Sequence, residues 1–333
     1  MIMKILAVSA GRKDGNCEVF TKAALMEAEK MGLEVELVRL RDMDIYPCTA
    51  CSGQFCAAMD DPTKCVHGKD DAAFLIDKFL DCDGFLMAGP VYSTTGSSMT
   101  VTFRDRVFGP KIDAVMMSRF GTPKWAEGRV KSRPGALISV GGALSSHWVS
   151  MGIPTLYSTC FSASTDVVDF MNVTGIANPG AATLDDAYIE RARQLGRNLA
   201  QAVLDNDHSW RGEPSEEDVC PSCHFNAMLF NPKKKDVWCA ICGTHGHIVM
   251  DGDEMKIEWP EEEQHENHTK PCGLEAHGDE IGEVLMNRYM PHKDEIPAKL
   301  KPFQDYNACI VKSPSAEAKK AAILANLNKE KEV

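Results

Sequence analysis

The sequence has no apolar run long enough to cross a bilayer and no excess of basic residues. A membrane-spanning helix needs about 20 consecutive apolar residues, so the sequence predicts no membrane partner. The net charge is −12, whereas a protein that coats nucleic acid carries a basic surface, so we expect no nucleic-acid partner. The first apolar run, residues 5–8, is too short for a secretory signal. These absences predict a cytoplasmic protein.

Two glycine-rich nucleotide motifs, GxGxxG and GxxxxGKS/T, are also absent from the N-terminal region. Instead, the apolar residues 5–8 lead into the loop Ser9-Ala10-Gly11-Arg12-Lys13-Asp14-Gly15-Asn16, and helical spacing begins at Cys17. A strand, loop and helix in this order leave free N–H groups at the start of the helix, where an anion can bind. The pattern therefore predicts a phosphate-binding loop of another type. An ordinary βα turn is the alternative.

Strand patterns alternate with helical patterns over the first 205 residues. The predicted strands after the first are 34–40, 84–89, 136–140 and 165–173, and the predicted helices after the first are 70–82, 98–107 and 183–205. Thr183 and Asp186 resemble a capping box for the last helix. Five strands alternating with helices predict an α/β fold with a doubly wound parallel sheet. The polar loops 9–17, 90–97 and 141–148 then meet at one edge and form a cleft.

Thirteen cysteines are many for a cytosolic chain, and eight of them form two quartets. The first quartet is Cys48, Cys51, Cys56 and Cys65, and the second is Cys220, Cys223, Cys239 and Cys242. In a reducing compartment such clusters indicate metal more often than disulfides. The first quartet has enough thiolates for an iron–sulfur cluster. Zinc, or free thiols in a loop that faces a partner, are the alternatives.

The second quartet has the spacing CxxC-x15-CxxC, which favours a tetrahedral site with four cysteine ligands. Short hairpin strands are predicted at 237–238 and 248–250, so the segment resembles a zinc ribbon or a short rubredoxin. Zinc would be structural there, whereas iron would carry one electron. The gap between the two CxxC pairs is short for a rubredoxin, and the usual proline is missing after the second pair. Both features favour zinc.

The length of 333 residues predicts one large domain with appendages. We expect an α/β domain over 1–205 with a cysteine-rich loop at 47–66, and an acidic linker over 206–218. A small module at 219–260, built around the second quartet, and a charged, partly helical extension at 261–333 follow. The extension ends in a helical run, Ser315–Lys331. The irregular segment Phe108–Arg133 is expected to cover a site or an oligomer interface.

The loop 9–17, together with Ala88-Gly89-Pro90-Val91-Tyr92-Ser93 and Asp105-Arg106, resembles the NADPH-dependent FMN reductase family of flavodoxin-like proteins. The resemblance implies bound FMN, NAD(P)H as a donor, and a dimer or tetramer with the flavin near the interface. The residues implied in FMN binding are Ser9, Arg12, Lys13, Gly15, Asn16 and Cys17 around the phosphate, and Pro90, Val91, Tyr92, Ser93, Thr94, Gly96, Gly141 and Gly142 around the ring.

The first quartet, followed by the pair Asp70-Asp71, resembles the iron–sulfur flavoprotein branch of this family, although its cysteines are more widely spaced. The resemblance implies a 4Fe-4S cluster that exchanges electrons with FMN. A ferredoxin-type carrier is a possible partner.

No general acid or nucleophile is evident, as expected where a cofactor carries the reaction. Tyr92 and His147 are the candidates for contact with a substrate, although packing explains a loop aromatic equally well. Cys17 at a helix start would have a lowered pKa, but we interpret it as a small residue beside the phosphate. Cys82, Cys160 and Cys309 are predicted to be buried.

The main hypothesis is an FMN-dependent oxidoreductase that passes electrons between NAD(P)H or a reduced carrier and an acceptor, through an iron–sulfur cluster if one is present. One alternative is a redox-sensing or scaffold protein whose ribbon docks a partner. Another is an enzyme that reduces one organic substrate in a pocket formed by 108–133 and the C-terminal extension.

Overall fold

The computed structural model of the chain describes residues 2–51, 56, 60–109, 112–115, 117, 121–161, 163–213 and 219–311. The predicted helix Ser315–Lys331 and part of the predicted linker lie outside these ranges. Within them, no helix has the length and apolar character required to traverse a membrane.

A parallel sheet forms the centre of the N-terminal region. Its strands are β1 (Lys4–Ser9), β2 (Glu34–Arg39), β3 (Gly84–Tyr92), β5 (Arg133–Val140) and β6 (Thr165–Val173). They lie in the order β2-β1-β3-β5-β6, and every pair is parallel. A short strand β4 (Thr95–Gly96) pairs antiparallel with the end of β3. This order is that of a flavodoxin-like sheet, and it confirms the predicted doubly wound fold.

Helices cover both faces of this sheet. They are α1 (Asn16–Lys30), α2 (Ala72–Asp81), α3 (Ser98–Phe103), α4 (Gly152–Tyr157) and α5 (Asp186–Asp205). One apolar core lies under α1 and α5, with Phe20 and Leu195 in it. The other core, which contains Phe79 and Phe108, lies under α2 and α3. Because both faces are buried, β1 and β5 are apolar along nearly their whole length.

Two elements end differently from the prediction. Strand β3 continues through Pro90 to Tyr92, so the predicted loop 90–97 begins inside the strand. The chain then turns at Ser93 and Thr94, whose φ angles are 49° and 73°, and returns as β4. The helix predicted at 98–107 becomes a π-helix at Arg104–Phe108. This wider turn places Arg106 inside the core, where its side chain is 1% exposed.

The predicted capping box at Thr183 and Asp186 is wrong. Thr183 lies in a 3-10 helix, Ala181–Leu184, and the cap of α5 is Asp185, which accepts a hydrogen bond from the Tyr188 N–H at 3.0 Å. The expectation that Cys309 is buried is also wrong, since it is exposed. Cys82 and Cys160 are buried as predicted.

An antiparallel sheet of four strands, which we call the ribbon, lies beside the second quartet: Cys239 ends one strand, Cys242 is in the turn after it, and Cys220 and Cys223 precede the first strand. Its strands are β7 (Met228–Asn231), β8 (Asp236–Cys239), β9 (His245–Asp251) and β10 (Glu254–Glu258), paired in sequence order. The hairpin strands predicted at 237–238 and 248–250 are therefore confirmed.

The ribbon packs on the parallel-sheet region through aromatic side chains. Phe225 contacts Phe170 with ring centroids 5.7 Å apart, and His224 stacks on Trp210 at 4.2 Å. The cysteines of the second quartet belong to the same apolar core as Phe79 and Phe108. The ribbon is thus continuous with the larger domain's core.

The chain after residue 260 remains in contact with the ribbon. In the 3-10 helix Glu261–Glu266, the Gln264 side chain accepts a hydrogen bond from the His245 N–H and donates one to the His245 carbonyl. Two further α-helices follow, α6 (Pro271–Glu283) and α7 (Ile296–Asp305). Among the residues that the structure describes, the other short helices are the 3-10 helices Leu40–Asp42, Pro62–Lys64, Lys124–Ala126, Ser146–Val149 and Met290–His292, and the π-helix Val284–Tyr289.

A buried ion pair joins α1 to β2. The Arg39 guanidinium donates to both carboxylate oxygens of Glu18 at 2.8 Å, and the Glu18 side chain is 1% exposed. The Asp14 N–H also donates to this carboxylate, at 3.3 Å. The bond from Arg39, and after it the ion pair with Lys22, lowers the pKa of Glu18 to about 2.

Glu18→Gln is therefore expected to lower the free energy of unfolding at neutral pH by roughly 2 kcal/mol. The stability from ionised Glu18 is present above its ordinary pKa of 4.5 and is lost as the pH falls toward about 2. The difference between the wild type and Glu18→Gln should thus shrink over that pH range in urea titrations. Glu29→Gln, at an exposed position on the same helix, is the control. A constant difference at all pH values would contradict this account.

Candidate functional site

A cavity of about 260 Å³ lies at the carboxyl ends of β1, β3 and β5. It sits where the strand order reverses, which is the usual ligand position in such sheets. Its lining residues are Gly11, Arg12, Gly15, Asn16, Cys17, Pro90, Val91, Tyr92, Val140, Gly142, Ile176, Ala177 and Pro179. The structure therefore brings together residues from all three predicted loops.

One end of the cavity is the loop between β1 and α1. Helix α1 begins after Gly15, which has no side chain to cap the first N–H groups at the positive end of the helix. A Cβ atom at Gly11 would lie 2.7 Å from the Cys17 Cβ, and one at Gly15 would lie 2.9 Å from the Arg12 carbonyl oxygen. The glycines thus keep this end compact, with the Arg12 side chain beside it. Together these features suit a bound phosphate.

The Asn16 side chain holds this loop against the segment that follows β6. Its amide nitrogen donates to the carbonyl oxygens of Ile176 and Asn178, and its amide oxygen accepts from the Ala182 N–H. These bonds leave the amide little capacity for a ligand, so Asn16 positions the cavity wall. The backbone at Asn16 remains at the start of α1.

The same segment supplies the lining residues that sequence reasoning missed. Ile176, Ala177 and Pro179 come from the loop after β6, and Val140 ends β5. A Cβ at Gly142 would lie 2.9 Å from the Ala177 Cβ, so the two loops touch. The position of β6 beside β5 would have suggested the loop after β6 as a part of the cavity wall, because β6 ends at the same edge of the sheet.

The other end of the cavity is formed by the last residues of β3. Pro90, Val91 and Tyr92 line it, and the Tyr92 side chain is 58% exposed at the mouth. Some predicted ligand-binding residues lie beside the cavity without lining it. In the part of the chain that the structure describes, these are Ser9, Lys13, Ser93, Thr94, Gly96 and Gly141. The Ser9 hydroxyl is buried and accepts the Gly11 N–H, so it shapes the loop.

Burial dominates the chemistry of Cys17. The side chain is 4% exposed, and loss of solvent raises the pKa of the thiol to about 12. The lowered pKa expected at a helix start is therefore wrong, because desolvation outweighs the helix dipole. Cys17 is thus a buried, neutral thiol in the cavity wall.

Four exposed apolar side chains come from the segments that build the cavity: Tyr92, Leu144, Trp148 and Met151. We call them the rim. The Met151 N–H donates to the Thr94 carbonyl, which ties the rim to the turn after β3. His147 is exposed and contacts Trp148, with ring centroids 5.8 Å apart, and it does not line the cavity.

The first quartet lies in the long loop that leaves β2 at the same edge of the sheet. Two acidic residues close this loop at its base: Asp71 accepts from the Asp44 N–H at 2.7 Å, and Asp70 accepts from the Tyr46 N–H at 3.3 Å. Arg106 donates to both Asp70 oxygens, at 2.6 and 3.0 Å, and to the Cys65 sulfur at 3.5 Å. Arg106 of the motif Asp105-Arg106 thus forms a buried ion pair with Asp70 of the paired aspartates.

The sulfur atoms of the first quartet do not converge. Cys48 and Cys51 are exposed, while Cys56 and Cys65 are half-buried. Among the described residues, the groups whose ligand atoms all lie within 4.8 Å of one another do not include this quartet. The cysteines supply the donor chemistry for a cluster, but the loop does not bring them into a cage.

The second quartet does converge. Its four sulfur atoms lie within 4.8 Å of one another and are fully buried, with Cys220 Sγ 3.4 Å from Cys242 Sγ and Cys223 Sγ 3.5 Å from Cys239 Sγ. Ligands at about 2.3 Å from a tetrahedral ion lie about 3.8 Å apart. The cage therefore fits one ion of the zinc or iron type, and it is too small for a 4Fe-4S cluster.

Arg106→Ala is expected to lower the free energy of unfolding by about 3 kcal/mol, because it leaves the buried Asp70 carboxylate without its counter-charge. Chemical denaturation measures this effect. Arg104→Ala is the control, since Arg104 is one-third exposed and pairs with Asp105 at the surface, and it should cost less than about 1 kcal/mol. Equal losses in the two variants would contradict the role given to the Arg106–Asp70 pair.

Comparison with known proteins finds similarity to flavoproteins. Residues 3–159 match the NADPH-dependent FMN reductase family. The chain is 29% identical to flavone synthase cfoJ of Aspergillus candidus over 301 residues, which cover 85% of this chain and 90% of that protein. It is 25% identical to an iron–sulfur flavoprotein of Methanocaldococcus jannaschii over 203 residues, which cover 60% of this chain and 97% of the relative.

A solved structure of a flavone reductase covers 93% of this chain and 100% of its own, with a TM-score of 0.73 and 26% identity. The similarity therefore extends beyond the parallel-sheet region into the C-terminal part of the chain. Residues 3–159 of the chain are thus similar to the NADPH-dependent FMN reductase family, and the chain is also similar to the iron–sulfur flavoproteins.

Proposed function

We propose that this chain is an FMN-dependent oxidoreductase that reduces a flat, conjugated organic acceptor of the flavone class. NAD(P)H or a reduced carrier is the electron donor. The observation that carries the proposal is the extent of the similarity to flavone synthase cfoJ and to a flavone reductase, 85% and 93% of this chain. Similarity confined to the parallel sheet would support only a general flavin reductase.

In this proposal, the cavity at the strand ends holds FMN. Arg12 and the start of α1 bind the phosphate, because a guanidinium and a helix N-terminus both favour an anion. The backbone of Pro90 and Val91 and the side chain of Tyr92 flank the ring, with Gly142 opposite. Bound FMN supplies hydride and single-electron transfer, while these residues fix its orientation.

The substrate lies at the mouth of the cavity, against the rim. Tyr92 and Trp148 offer aromatic faces on which a flat ring system stacks. An exposed group of large apolar side chains also favours association between proteins. We therefore propose a homo-oligomer whose second copy covers the rim and encloses the substrate.

The second quartet holds a structural ion in this account, and zinc is the preferred one, because all four positions are filled by buried thiolates. The first quartet supports a second candidate function, electron transfer through a 4Fe-4S cluster. Its loop leaves the same sheet edge as the cavity, and relatives of this chain are iron–sulfur flavoproteins. A ferredoxin-type carrier then serves as donor or acceptor.

Anaerobic reduction tests both functions in one protein preparation. NADPH should bleach the flavin absorbance, and a flavone should restore it with stoichiometric loss of the flavone. If only a one-electron acceptor restores the absorbance, and Cys48→Ser abolishes this, electron transfer is the function. A flavin that stays oxidised with NADPH, NADH and reduced ferredoxin would contradict both and favour a sensor or scaffold.

Two neighbouring basic residues allow the contribution of the phosphate site to be distinguished from that of the surrounding surface. Arg12 lines the cavity, whereas Lys13 is exposed outside it. Arg12→Ala is expected to weaken FMN binding about tenfold or more, through loss of a charge-assisted hydrogen bond. Lys13→Ala should change it by less than about twofold. Fluorescence titration of the apoprotein with FMN measures both, and equal effects would place the phosphate elsewhere.

A further inference from the structure

The ribbon contains a second group of metal-ligating side chains, separate from the cysteine cage. Asp236 on β8 lies directly opposite His247 on β9, and Trp238 lies opposite His245. Because side chains alternate along a strand, these four residues share one face of the ribbon. Asp236, His245 and His247 each offer a ligand atom, and these three atoms lie within 4.8 Å of one another.

One nitrogen of each histidine faces Asp236. The Asp236 Oδ1 atom is 3.8 Å from His245 Nε2 and 3.4 Å from His247 Nδ1. Ligand atoms at about 2.1 Å from a tetrahedral ion are about 3.4 Å apart. The spacing of these two pairs therefore admits a metal ion with little movement of the side chains.

The other nitrogen of each histidine faces Glu263. A single carboxylate oxygen, Glu263 Oε2, lies 2.8 Å from His245 Nδ1 and 2.9 Å from His247 Nε2. A carboxylate in this position keeps the proton on the nitrogen that faces it, the outer nitrogen. The nitrogen that faces Asp236, the inner nitrogen, then keeps its lone pair. This is the arrangement of a second-sphere carboxylate behind histidine ligands.

The inner nitrogen of His245 supplies a second, independent observation. His245 Nε2 is buried and makes no hydrogen bond. The ring is fixed in this position by stacking on Trp238, with centroids 4.1 Å apart and planes at 22°. Gln264 holds the backbone of the same residue on both sides. A buried polar atom that is held in place without a partner points to a missing ligand.

We propose that Asp236, His245 and His247 bind a divalent first-row transition ion such as Zn²⁺, with Glu263 orienting both imidazoles. Two imidazoles and one carboxylate leave coordination positions open, in contrast to the cysteine cage. The open positions face the solvent, since His247 is 36% exposed. The ion therefore exchanges more readily than the one in the cage and can take water or an external ligand.

The experiment uses the full-length protein with its cysteine cage already filled by zinc, and Co²⁺ as the probe. Calorimetry and visible absorption should give about one additional Co²⁺ per chain, with ligand-field bands and no thiolate charge-transfer band. His247→Ala should weaken Co²⁺ binding at least about tenfold. His265→Ala, on the adjacent 3-10 helix and exposed, should leave the affinity unchanged.

Glu263→Gln keeps all three ligands and removes only the orienting carboxylate, so it should weaken binding about tenfold to a hundredfold. The zinc content of the cage confirms that each variant is folded. The proposal is overturned if the wild type binds no additional Co²⁺, or if the His247 and His265 variants bind it equally. In either case Asp236, His245, His247 and Glu263 form only an ion-pair cluster.

Discussion

The amide side chain of Asn16 is the contact on which the cavity depends. Its three hydrogen bonds join the loop after β1 to the loop after β6, two segments that are 160 or more residues apart in the sequence. Each bond contributes about 1 kcal/mol, and breaking one inside the protein costs more because the partner stays buried. The tie fixes the distance between the start of α1 and the wall at Ala177. A cofactor thus finds both ends of its site already positioned.

The two cysteine quartets differ because their supporting structure differs. The second quartet is buried in the core that it shares with Phe79 and Phe108, and the neighbouring Phe225 and His224 pack on Phe170 and Trp210. Four buried thiols that converge in this way suit a metal site that contributes to folding. The first quartet lies on a long loop, and at the base of this loop Asp71 accepts a hydrogen bond from the Asp44 N–H and Arg106 pairs with Asp70.

The parallel sheet could be predicted because β1, β3 and β5 are buried on both faces and carry an unbroken apolar signal. The cavity was predicted only in part. Arg12, Gly15 and Tyr92 carry a recognisable motif, whereas Ala177 and Pro179 do not, because they act through backbone shape. Cys17 lines the cavity, but the expected direction of its pKa was wrong, since burial depends on packing that no local pattern encodes. The cap of α5 was misplaced by two residues, because Thr183 and Asp185 carry equally good local signals.

The central claim is that the cavity at the strand ends of the parallel sheet holds FMN. The most direct measurement is the identity and amount of flavin released from protein purified without oxygen, with iron and zinc counted in the same sample. The account predicts about one FMN per chain and about one zinc in the cysteine cage. A protein that contains no flavin and does not bind added FMN would contradict it.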